Sequence, residues 1–328
     1  MLRLRAHAKV NLALRVGAAG ADGFHPLATV FQTVSLCDVL YAWRVDRAHG
    51  ARPGEGPAAA LPLRLRVVGA DLPADNTVSK AVALLAAEVL EHGIEPAPLH
   101  MRLLKRTPMG AGLGGGSSDA VAALAACVRL WSVDAGLLQA TGALPRIAAQ
   151  IGSDVPFFLL GGTALGTGRG TRVEALDSLP PVWLVVAAPH LHVPTPNAYA
   201  AFDRRAARTA AALADSGLPP AGAPPLPPYE PRLDPAWMGN DLAAAVCEMH
   251  PEVGGVRRRL RDLGADPAQM SGSGAASFGA FANRRAAARA AAALRAEGVW
   301  AGAFVSISGS QHRRGLFGEE PELTGGGV

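Results

Sequence analysis

The sequence contains very little cysteine. Cys37, Cys127 and Cys247 are the three cysteines among 328 residues, and they lie far apart without a CxxC pair. A disulfide-rich secreted scaffold needs an even, closely spaced set of cysteines, and a cysteine metal cage needs paired ligands. The chain is therefore predicted to work in a reducing compartment without a cysteine-bound metal.

Lysine is also scarce, because Lys9, Lys80 and Lys105 are the only lysines among 31 basic residues. A lysine retained in a chain that otherwise uses arginine points to a site that needs a compact ammonium group. The arginines are scattered and are not interleaved with aromatic residues, and the formal net charge is +4. This pattern predicts no nucleic-acid-binding surface.

Long hydrophobic runs and a targeting segment are missing. No apolar run approaches the roughly 20 residues of a membrane-spanning helix. The start, Met-Leu-Arg-Leu-Arg, does not have the pattern of a signal peptide. We therefore expect a cytoplasmic protein with no membrane partner. With 328 residues and 49% hydrophobic composition, the chain is long enough for two ordinary domains with a buried core.

Glycine is abundant, and its densest cluster lies in residues 108–118. Without a Cβ atom, a glycine-rich backbone can curl until several N–H groups converge on one anion. The next segment, 119–131, has apolar residues at helical spacing, and a helix N-terminus adds its own attraction for anions. The pattern predicts a phosphate-binding loop of a nucleotide-binding enzyme, formed by Pro108, Gly110, Ala111, Gly112, Leu113, Gly114, Gly115, Gly116, Ser117 and Ser118.

Three other interpretations of this loop differ in strength. A Walker A loop is excluded because no lysine follows the last glycine. Gly110, Gly112 and Gly115 satisfy the G-x-G-x-x-G pattern of a dinucleotide fold, but no clear strand precedes Asp134, the acidic residue near the required distance. A plain flexible loop capped by Ser118 explains the glycines poorly, because a well-formed helical pattern follows them.

Residues 2–16 alternate between apolar and polar side chains, which is the pattern of a half-buried strand. The segment is longer than a typical strand, so we expect a bend or a bulge within it. Lys9 and Asn11 share its polar face, where a solvated position is the default for a lone lysine.

Three further segments carry residues that suit a site, and each also has a purely structural interpretation. Asp154 precedes the apolar run 155–158 and is either a general base or the cap of a helix. Phe24 and His25 follow an Asp-Gly turn and offer a ring face and an imidazole, or are packed core. A second Gly/Ser turn is either a plain tight turn or a wall of the phosphate site from the other domain. It consists of Ser271, Gly272, Ser273 and Gly274.

The remaining pattern predicts strands and helices without an internal repeat. Strands are predicted at 28–36, 39–45, 63–68, 99–105, 182–188, 275–281 and 301–308. Helices are predicted at 77–92, 119–131, 145–151, 240–249, 251–263 and 284–297. The proline-rich segment 216–235 is expected to be a loop or insertion, and residues 310–328 are expected to fray.

These motifs, in this order along nearly the whole chain, resemble the GHMP kinases, a family that includes galactokinase, homoserine kinase and mevalonate kinase. The glycine loop carries the likeness to the family as a whole. The supporting elements are Ala8-Lys9-Val10-Asn11-Leu12, Asp22-Gly23-Phe24-His25, Gly152-Ser153-Asp154-Val155-Pro156-Phe157-Phe158, Gly168-Arg169-Gly170, Pro194-Thr195, Asn240-Asp241-Leu242 and Met270 to Gly274.

The resemblance implies the α+β class and the GHMP kinase fold. It implies an N-terminal domain at 1–163, like the second domain of ribosomal protein S5. A ferredoxin-like C-terminal domain would follow at 164–309, with a proline-rich insertion at 216–235 and a flexible tail at 310–328. The active site would lie in the cleft between the two domains.

The resemblance also implies a reaction, the transfer of the γ-phosphoryl group of ATP with the help of Mg²⁺. The ATP phosphates would lie in loop 110–118, with Ser117 or Ser118 on a phosphate or on the metal ion. Lys9 and Asp154 would meet in the cleft. Asp154 would orient or deprotonate the accepting hydroxyl, and Lys9 would stabilise that carboxylate and the developing charge.

Within the family, the N-terminal lysine segment and the Asp-Gly-aromatic-His element resemble the members that phosphorylate the 2-hydroxyl of cytidine diphosphate methylerythritol, an isoprenoid precursor. The resemblance then implies that cytosine stacks on Phe24, with His25 hydrogen-bonding its edge and Tyr199 as a second stacking aromatic. Asn11 and Thr195 would help to hold the substrate. The family usually has tyrosine where Phe24 stands, so the stacking face is kept and one polar contact is lost.

Two other functions stay open at this point. Another small-molecule kinase of the family, such as a homoserine or sugar kinase, would need no aromatic pair for a base. A non-catalytic nucleotide-binding module on the same fold would not need both Lys9 and Asp154. The sequence does not decide between a monomer and a homodimer.

Overall fold

The chain folds as alternating strands and helices, which a computed structural model describes over residues 1–45, 63–214 and 229–318. The strands are β1 (Leu2–Val16), β2 (Leu27–Arg44), β3 (Leu63–Val68), β4 (Leu99–Leu104), β5 (Thr163–Gly168), β6 (Arg172–Ala175), β7 (Trp183–Ala188), β8 (Gly239–Asn240), β9 (Ala268–Met270), β10 (Ser277–Phe281) and β11 (Trp300–Val305). The helices are α1 (Thr77–Glu91), α2 (Gly115–Leu130), α3 (Ala135–Thr141), α4 (Ala143–Ile151), α5 (Val155–Leu160), α6 (Thr195–Ala214), α7 (Ala243–Met249), α8 (Pro251–Asp262), α9 (Arg284–Ala296) and α10 (Gly309–Phe317).

The two longest strands, β1 and β2, pair antiparallel along almost their whole length. Their register shifts between His7 and Lys9 and again between Asn11 and Ala13. The irregularity that the length of this segment predicts is therefore confirmed, and it lies on both sides of the candidate residues Lys9 and Asn11.

β2 lies inside a seven-stranded sheet. The predicted break between strands 28–36 and 39–45 is wrong, because β2 is continuous. It has β1 along one edge, while β5 and β4 share the other edge, so each half is hydrogen-bonded on both sides. The order β3-β4-β2-β1-β8 runs across this sheet, with β5 and β6 beside the first half of β2. Helices α1, α2, α4 and α5 share a hydrophobic core with it.

β1 contributes to two hydrophobic cores. Leu4 and Ala6 pack in the core beneath the helices, whereas Val10 and Leu12 pack in a second core with residues of β7 and β10. The strand is consequently buried on both faces from Ala6 to Leu14. The predicted half-buried strand is wrong for this stretch. The second core covers the face of Val10 and Leu12, and Phe31, Gly114 and Gly272 lie beside Lys9 on the other face.

The second sheet has the order β11-β7-β10-β9, and every neighbouring pair in it is antiparallel. Leu260 of α8 and Leu294 of α9 pack in a core with residues of this sheet. The β-α-β-β-α-β succession confirms the ferredoxin-like C-terminal domain that the resemblance implies. The two sheets meet where Val34 of β2 forms a bridge with Ser306.

Strand pairing crosses the predicted boundary between residues 163 and 164. β5 and β6 extend the first sheet to Ala175, so a division between 163 and 164 falls inside that sheet. β8 also returns from the C-terminal half to pair with β1. Of the predicted insertion 216–235, residues up to 228 lie outside the described residues, and 229–235 form no helix or strand.

The predicted flexible tail 310–328 is wrong in its first part, because residues 309–317 form α10. Ser308 and Gln311 make a capping box at its start, and Leu316 is 1% exposed. Residues 319–328 lie outside the described residues. Elements that the pattern did not predict are α3, α5, α6, α10, β5, β6, β8 and β9. Among the helices that the structure describes, none combines the length and the apolar composition needed to span a membrane.

Candidate active site

Lys9 of β1 and Asp154, immediately before α5, form an ion pair. The Lys9 Nζ lies 3.1 Å from Asp154 Oδ2 and donates a 2.7 Å hydrogen bond to Asn11 Oδ1. The Lys9 side chain is 3% exposed and that of Asp154 is 33% exposed, so the carboxylate is the accessible member of the pair. Asp154 occupies the N-cap position of α5 but its side chain makes no capping hydrogen bond. The geometry therefore favours a site residue over a helix cap.

Asn11 connects Lys9 to the hairpin and to the second Gly/Ser turn. Its Nδ2 donates to Thr29 Oγ1 at 2.8 Å, and its backbone N–H donates to Ser271 Oγ at 3.2 Å. Thr29 in turn donates to the Ala13 carbonyl at 2.6 Å. The buried polar side chains of Lys9 and Asn11 are thus hydrogen-bonded, as burial requires.

The glycine loop runs from β4 to α2 and lies against the Lys9 segment, since the Lys9 N–H donates to the Leu113 carbonyl at 2.9 Å. α2 begins at Gly115 instead of the predicted residue 119. The cause is Gly114, which takes the left-handed region with φ of 69° and ends the loop there. No side chain caps this helix end. The N–H groups of its first turn are therefore available to an anion.

The second Gly/Ser turn packs against the glycine loop. Ser271 Oγ lies 3.3 Å from the Gly112 carbonyl oxygen, and the Ala276 N–H donates to the Ala111 carbonyl at 3.0 Å. A Cβ added at Gly112, where φ is +76°, would lie 2.6 Å from the Ser271 carbonyl oxygen. The turn is therefore a wall of the site and not a remote tight turn.

A cavity of about 710 Å³ lies beside the ion pair and is bordered by both loops and by aromatic side chains. The predicted site residues on its wall are Lys9, Asn11, Phe24, His25, Gly110, Gly112, Ser117, Asp154, Thr195, Tyr199, Gly272 and Ser273. The predicted residues that do not line it are Pro108, Ala111, Leu113, Gly114, Gly115, Gly116, Ser118, Ser271 and Gly274.

The two serines of the glycine loop are not equivalent. Ser117 lines the cavity. Ser118 is 0% exposed, and its Oγ has no hydrogen-bond partner in the part of the chain that the structure describes. Of the two, Ser117 is placed to contact a ligand in this cavity.

Phe24 is held at the rim of the cavity by Asp22 and Arg169. Its side chain is 53% exposed, and the Arg169 Cζ lies 3.7 Å from its ring centroid. Arg169 Nη2 donates to Asp22 Oδ2 at 2.8 Å, which lowers the pKa of Asp22. Arg169 lines the cavity and was missed as a site residue; its signal was a basic residue between two glycines. One face of the Phe24 ring is thus covered by a cation.

His25 and Tyr199 form an aromatic contact with ring centroids 5.1 Å apart. The His25 Nδ1 donates to the Gly17 carbonyl at 2.8 Å, and its Nε2 lies 3.3 Å from Asp203 Oδ2. Both ring nitrogens already have protein partners, so a hydrogen bond from a free imidazole nitrogen to a base edge is not available. Burial and the Asp154 charge raise the pKa of Tyr199 to about 12, which keeps its phenol protonated.

Two contacts join the segment at the start of α6 to the loops. Thr195 Oγ1 lies 3.1 Å from Ser273 Oγ, and His192 Nδ1 donates to the Gly110 carbonyl at 3.1 Å. His192 also lines the cavity. A single histidine in a loop carries no pattern, so the sequence did not predict it as a site residue.

Lys105 forms a buried ionic cluster, which the sequence analysis did not assign. Its Nζ lies 2.5 Å from Asp38 Oδ2 and 2.7 Å from Asp119 Oδ2. Asp38 Oδ1 accepts hydrogen bonds from the N–H groups of Arg106 and Thr107. Burial raises the pKa of Asp119 to about 7 against the opposing effect of Lys105. Burial alone would lower the pKa of Lys105, but the two carboxylates raise it. The cluster ties β2, the end of β4 and α2 together at the two ends of the glycine loop.

A second cavity of about 590 Å³ lies between β3 and the start of α1, and its lining includes Leu65, Asn76 and Lys80. Thr77, which follows Asn76, donates a 2.7 Å hydrogen bond to the Gly116 carbonyl. This cavity therefore adjoins the glycine loop on the side of α1.

A metal ion held by protein side chains alone has no site in the described ranges, where no group of three His, Cys, Asp or Glu residues is suitably placed. Mg²⁺ that accompanies nucleotide phosphates needs only one or two carboxylates from the protein. The Asp154 carboxylate and the Ser117 hydroxyl line the same cavity and are oxygen donors of this kind. The residues present therefore fit Mg²⁺ that is brought by a nucleotide.

The chain is similar to known families and proteins. The family models for the GHMP kinases N terminal domain and the GHMP kinases C terminal region match residues 76–162 and 233–299. A 4-diphosphocytidyl-2-C-methyl-D-erythritol kinase of Solibacter usitatus is 40% identical over 300 residues, which cover 88% of this chain and 83% of that protein. The protein of the same name from Moorella thermoacetica is 36% identical, with 90% and 95% covered.

Solved structures extend the likeness to the fold. A crystal structure of 4-(cytidine 5'-diphospho)-2C-methyl-D-erythritol kinase has a TM-score of 0.69 and 34% identity, covering 93% of this chain and 99% of that one. A homoserine kinase from Cytophaga hutchinsonii shares the fold with a TM-score of 0.55 at 20% identity, over 92% of this chain and 95% of that one. The chain belongs to the GHMP kinase family, among the 4-diphosphocytidyl-2-C-methyl-D-erythritol kinases.

Proposed function

We propose that the chain transfers the γ-phosphoryl group of ATP to the 2-hydroxyl of 4-(cytidine 5'-diphospho)-2-C-methyl-D-erythritol, a step of non-mevalonate isoprenoid precursor synthesis. The observation that carries the proposal is the Lys9–Asp154 pair on the wall of a cavity that also has a phosphate loop and exposed aromatic surface. The names of relatives that are 36% and 40% identical support the same substrate.

The aromatic wall favours a substrate that carries a base. Phe24 and Tyr199 both line the cavity, and a cytosine ring can stack on such surfaces. Homoserine or a simple sugar would leave them unused. Both ring nitrogens of His25 are engaged by Gly17 and Asp203, and the N–H and carbonyl of Phe24 are engaged by Asp22 and Gly20. We therefore assign the polar edge of cytosine to the backbone groups of His25.

The nucleotide phosphates belong at the glycine loop. The free N–H groups at the start of α2 and the absence of a Cβ at Gly110 and Gly112 suit a bound polyphosphate. The cavity beside Asn76 adjoins this loop through Thr77, and we assign it to the adenosine part of ATP.

The transfer itself needs mainly positioning and charge stabilisation. Asp154 accepts the hydrogen bond of the 2-hydroxyl and takes its proton as the new oxygen–phosphorus bond forms. The bond between the γ-phosphorus and the β-phosphate oxygen breaks, which releases ADP. Lys9 keeps the Asp154 carboxylate in place and offsets negative charge on the transferred group.

The metal ion has a limited part in this proposal. Bound Mg²⁺ neutralises charge on the phosphates during transfer. Ser117 and Asp154 are the residues that would hold it on the protein side. Lys9 already occupies one oxygen of Asp154, so the metal would share that carboxylate and not replace the ion pair.

The test is ADP release by the purified protein with Mg·ATP and four candidate acceptors. These are the cytidyl-diphospho-methylerythritol compound, homoserine, mevalonate and galactose. We expect turnover with the first compound only. Turnover with another acceptor instead would keep the kinase chemistry and discard the cytosine site. Tight ATP binding without turnover on any acceptor would indicate a nucleotide-binding sensor.

A further inference from the structure

A third cavity, of about 500 Å³, lies in the C-terminal domain between α8 and the strands β8 and β9. It shares no lining residue with the active-site cavity. The proposed reaction gives this cavity no part. Its chemistry comes from two arginines on one face of α8.

Arg257 and Arg261 stand four residues apart on α8, which makes them neighbours on one helix face. Like charges at this spacing repel each other, so placing both arginines in one cavity wall destabilises the helix. The Arg257 Nε is shielded from solvent and has no hydrogen-bond partner in the described chain. Arg261 makes one long contact, 3.4 Å from its Nη2 to the Ala268 carbonyl oxygen.

No counter-charge within the described residues neutralises the two arginines. Asp266 is the acidic residue of the lining, and no ion pair joins it to Arg257 or Arg261 in the part of the chain that the structure describes. Other arginines of the same helix differ in this respect, since Arg259 pairs with Glu297 at 2.7 Å. Two unpaired guanidinium groups therefore share one concave surface.

We propose that this cavity is a second anion site, which binds the phosphate or diphosphate group of a small metabolite. Guanidinium groups bind phosphate oxygens in paired hydrogen bonds, and such a ligand would satisfy the buried Arg257 N–H, which is costly to leave unpaired. The cavity is larger than a phosphate ion. The rest of its wall includes Pro235, Ala243, Ala265 and Met270, which suits a short apolar group attached to the phosphate.

The site is connected to the active site through Asn240. This residue lines the anion cavity, and its Nδ2 donates to the carbonyls of Met270 at 2.9 Å and Gly272 at 2.8 Å. Gly272 belongs to the second Gly/Ser turn on the active-site wall. A ligand in the anion cavity that displaces Asn240 therefore alters the support of that turn, so the site acts as an effector site.

Binding is tested by calorimetric titration of the full chain with inorganic pyrophosphate, in Mg²⁺-free buffer with ADP in excess to fill the glycine loop. Wild type is expected to bind one pyrophosphate per chain, and Arg257→Ala and Arg261→Ala to bind it roughly tenfold or more weakly. Arg258→Ala is the matched control, because it removes the same charge from the same helix outside the cavity lining. Arg261 is exposed, so its replacement does not threaten folding.

Equal binding by all four proteins, or no binding by wild type, would overturn the proposal. The apolar wall is tested with n-butyl phosphate, which should bind roughly threefold to tenfold more tightly than inorganic phosphate in wild type. Equal affinities for n-butyl phosphate and inorganic phosphate would show that the site binds only the anion. This result would contradict the proposal that the ligand carries an apolar group.

The connection to the active site has its own readout. At saturating Mg·ATP, n-butyl phosphate should change the KM of the cytidyl substrate by roughly fivefold or more in wild type and Arg258→Ala. It should leave the KM of Arg261→Ala unchanged. The same change in all three proteins would place the effect in the active site and would contradict the coupling.

Discussion

The ammonium group of Lys9 lies 3.1 Å from a carboxylate oxygen of Asp154, although the two residues belong to a strand and a helix start that are far apart in the chain. The lysine is almost fully buried, and Asn11 takes a second of its hydrogen bonds at 2.7 Å. The position of the ammonium is thus fixed by the sheet. The carboxylate faces the cavity and is free to act on a substrate hydroxyl.

Replacing Asp154 with Asn should remove phosphoryl transfer while leaving nucleotide binding intact. The amide keeps the shape of the side chain but cannot accept a proton, and general-base contributions are typically about 10²–10⁴-fold in rate. Single-turnover ADP formation and equilibrium ADP binding measure the two effects separately. Asp177→Asn is the control, since it removes an exposed carboxylate outside the cavity lining. Near-normal turnover of Asp154→Asn would exclude the proposed role of this residue.

Replacing Phe24 with Ala should raise the KM of the cytidyl substrate with little change in kcat. Stacking of a base on an aromatic ring contributes about 1–3 kcal/mol to binding. Phe24 offers only a ring face, so its loss should not affect the transfer step at Lys9 and Asp154. Leu90→Ala is a suitable control, because Leu90 is similarly exposed at 54% and lies outside the cavity lining. An unchanged KM would remove Phe24 from the substrate site.

Replacing Gly112 with Ala should weaken ATP binding far more than replacing Gly116 with Ala. A Cβ at Gly112 would lie 2.6 Å from the Ser271 carbonyl oxygen on a backbone with φ of +76°, whereas the nearest atom to a Cβ at Gly116 is 3.4 Å away. Both substitutions add one methyl group to the same loop. Nucleotide titration monitored by tryptophan fluorescence compares them directly. Equal affinities would mean that contact between the two loops does not shape the phosphate site.

Asp119 should make the folded protein less stable as the pH rises from about 4 to about 7. Burial raises its pKa from 3.8 to about 7, so the folded state holds a proton that the unfolded state has already released. The stabilisation is complete below pH 4 and is lost as the pH passes 7. Asp119→Asn mimics the protonated form. Between pH 5 and pH 8, the free energy of urea unfolding should therefore fall less in this variant than in wild type, by on the order of 2–4 kcal/mol. Parallel pH profiles of the two proteins would contradict this assignment.

His7 and His312 should cause the opposite trend in acid. Burial lowers the pKa of His7 to about 3 and that of His312 to about 4, and their ring centroids lie 5.6 Å apart. Below pH 6.5 the unfolded state takes up protons that the folded state refuses, so stability falls by about 1.4 kcal/mol per pH unit for each histidine. His7→Leu should flatten the profile between pH 6.5 and 4. An unchanged slope in that variant would show that His7 is not responsible.

The sequence predicted the strand that carries Lys9 and Asn11 better than the surroundings of those residues. Alternation in residues 2–16 identified a strand and placed Lys9 and Asn11 on one face. Periodicity does not say what covers a face, so it could not show that Phe31, Gly114 and Gly272 enclose Lys9. The meeting of Lys9 with Asp154 came from the family resemblance, because nothing in their spacing brings them together.

Two features were missed for different reasons. The partners of Lys105 are Asp38 and Asp119, on β2 and α2, and their meeting depends on strand order, which no local pattern records. α10 was missed although its signal was present. Ser308 and Gln311 form a capping box, but the glycine-rich and charged composition of the following residues outweighed it.

The placement of β1 in two cores has a consequence for recombining this enzyme with its relatives. A chimaera that joins one parent up to Ala175 to the C-terminal part of another would match β1 against foreign residues of β7 and β10. Val10 and Leu12 would then pack against β7 and β10 side chains that complement the β1 of the other parent. Lys9 is adjacent to Val10 in β1 and is a member of the ion pair with Asp154. Chimaeras of dissimilar parents should therefore lose turnover while they still fold. Taking β1 from the same parent as the C-terminal part should prevent this loss.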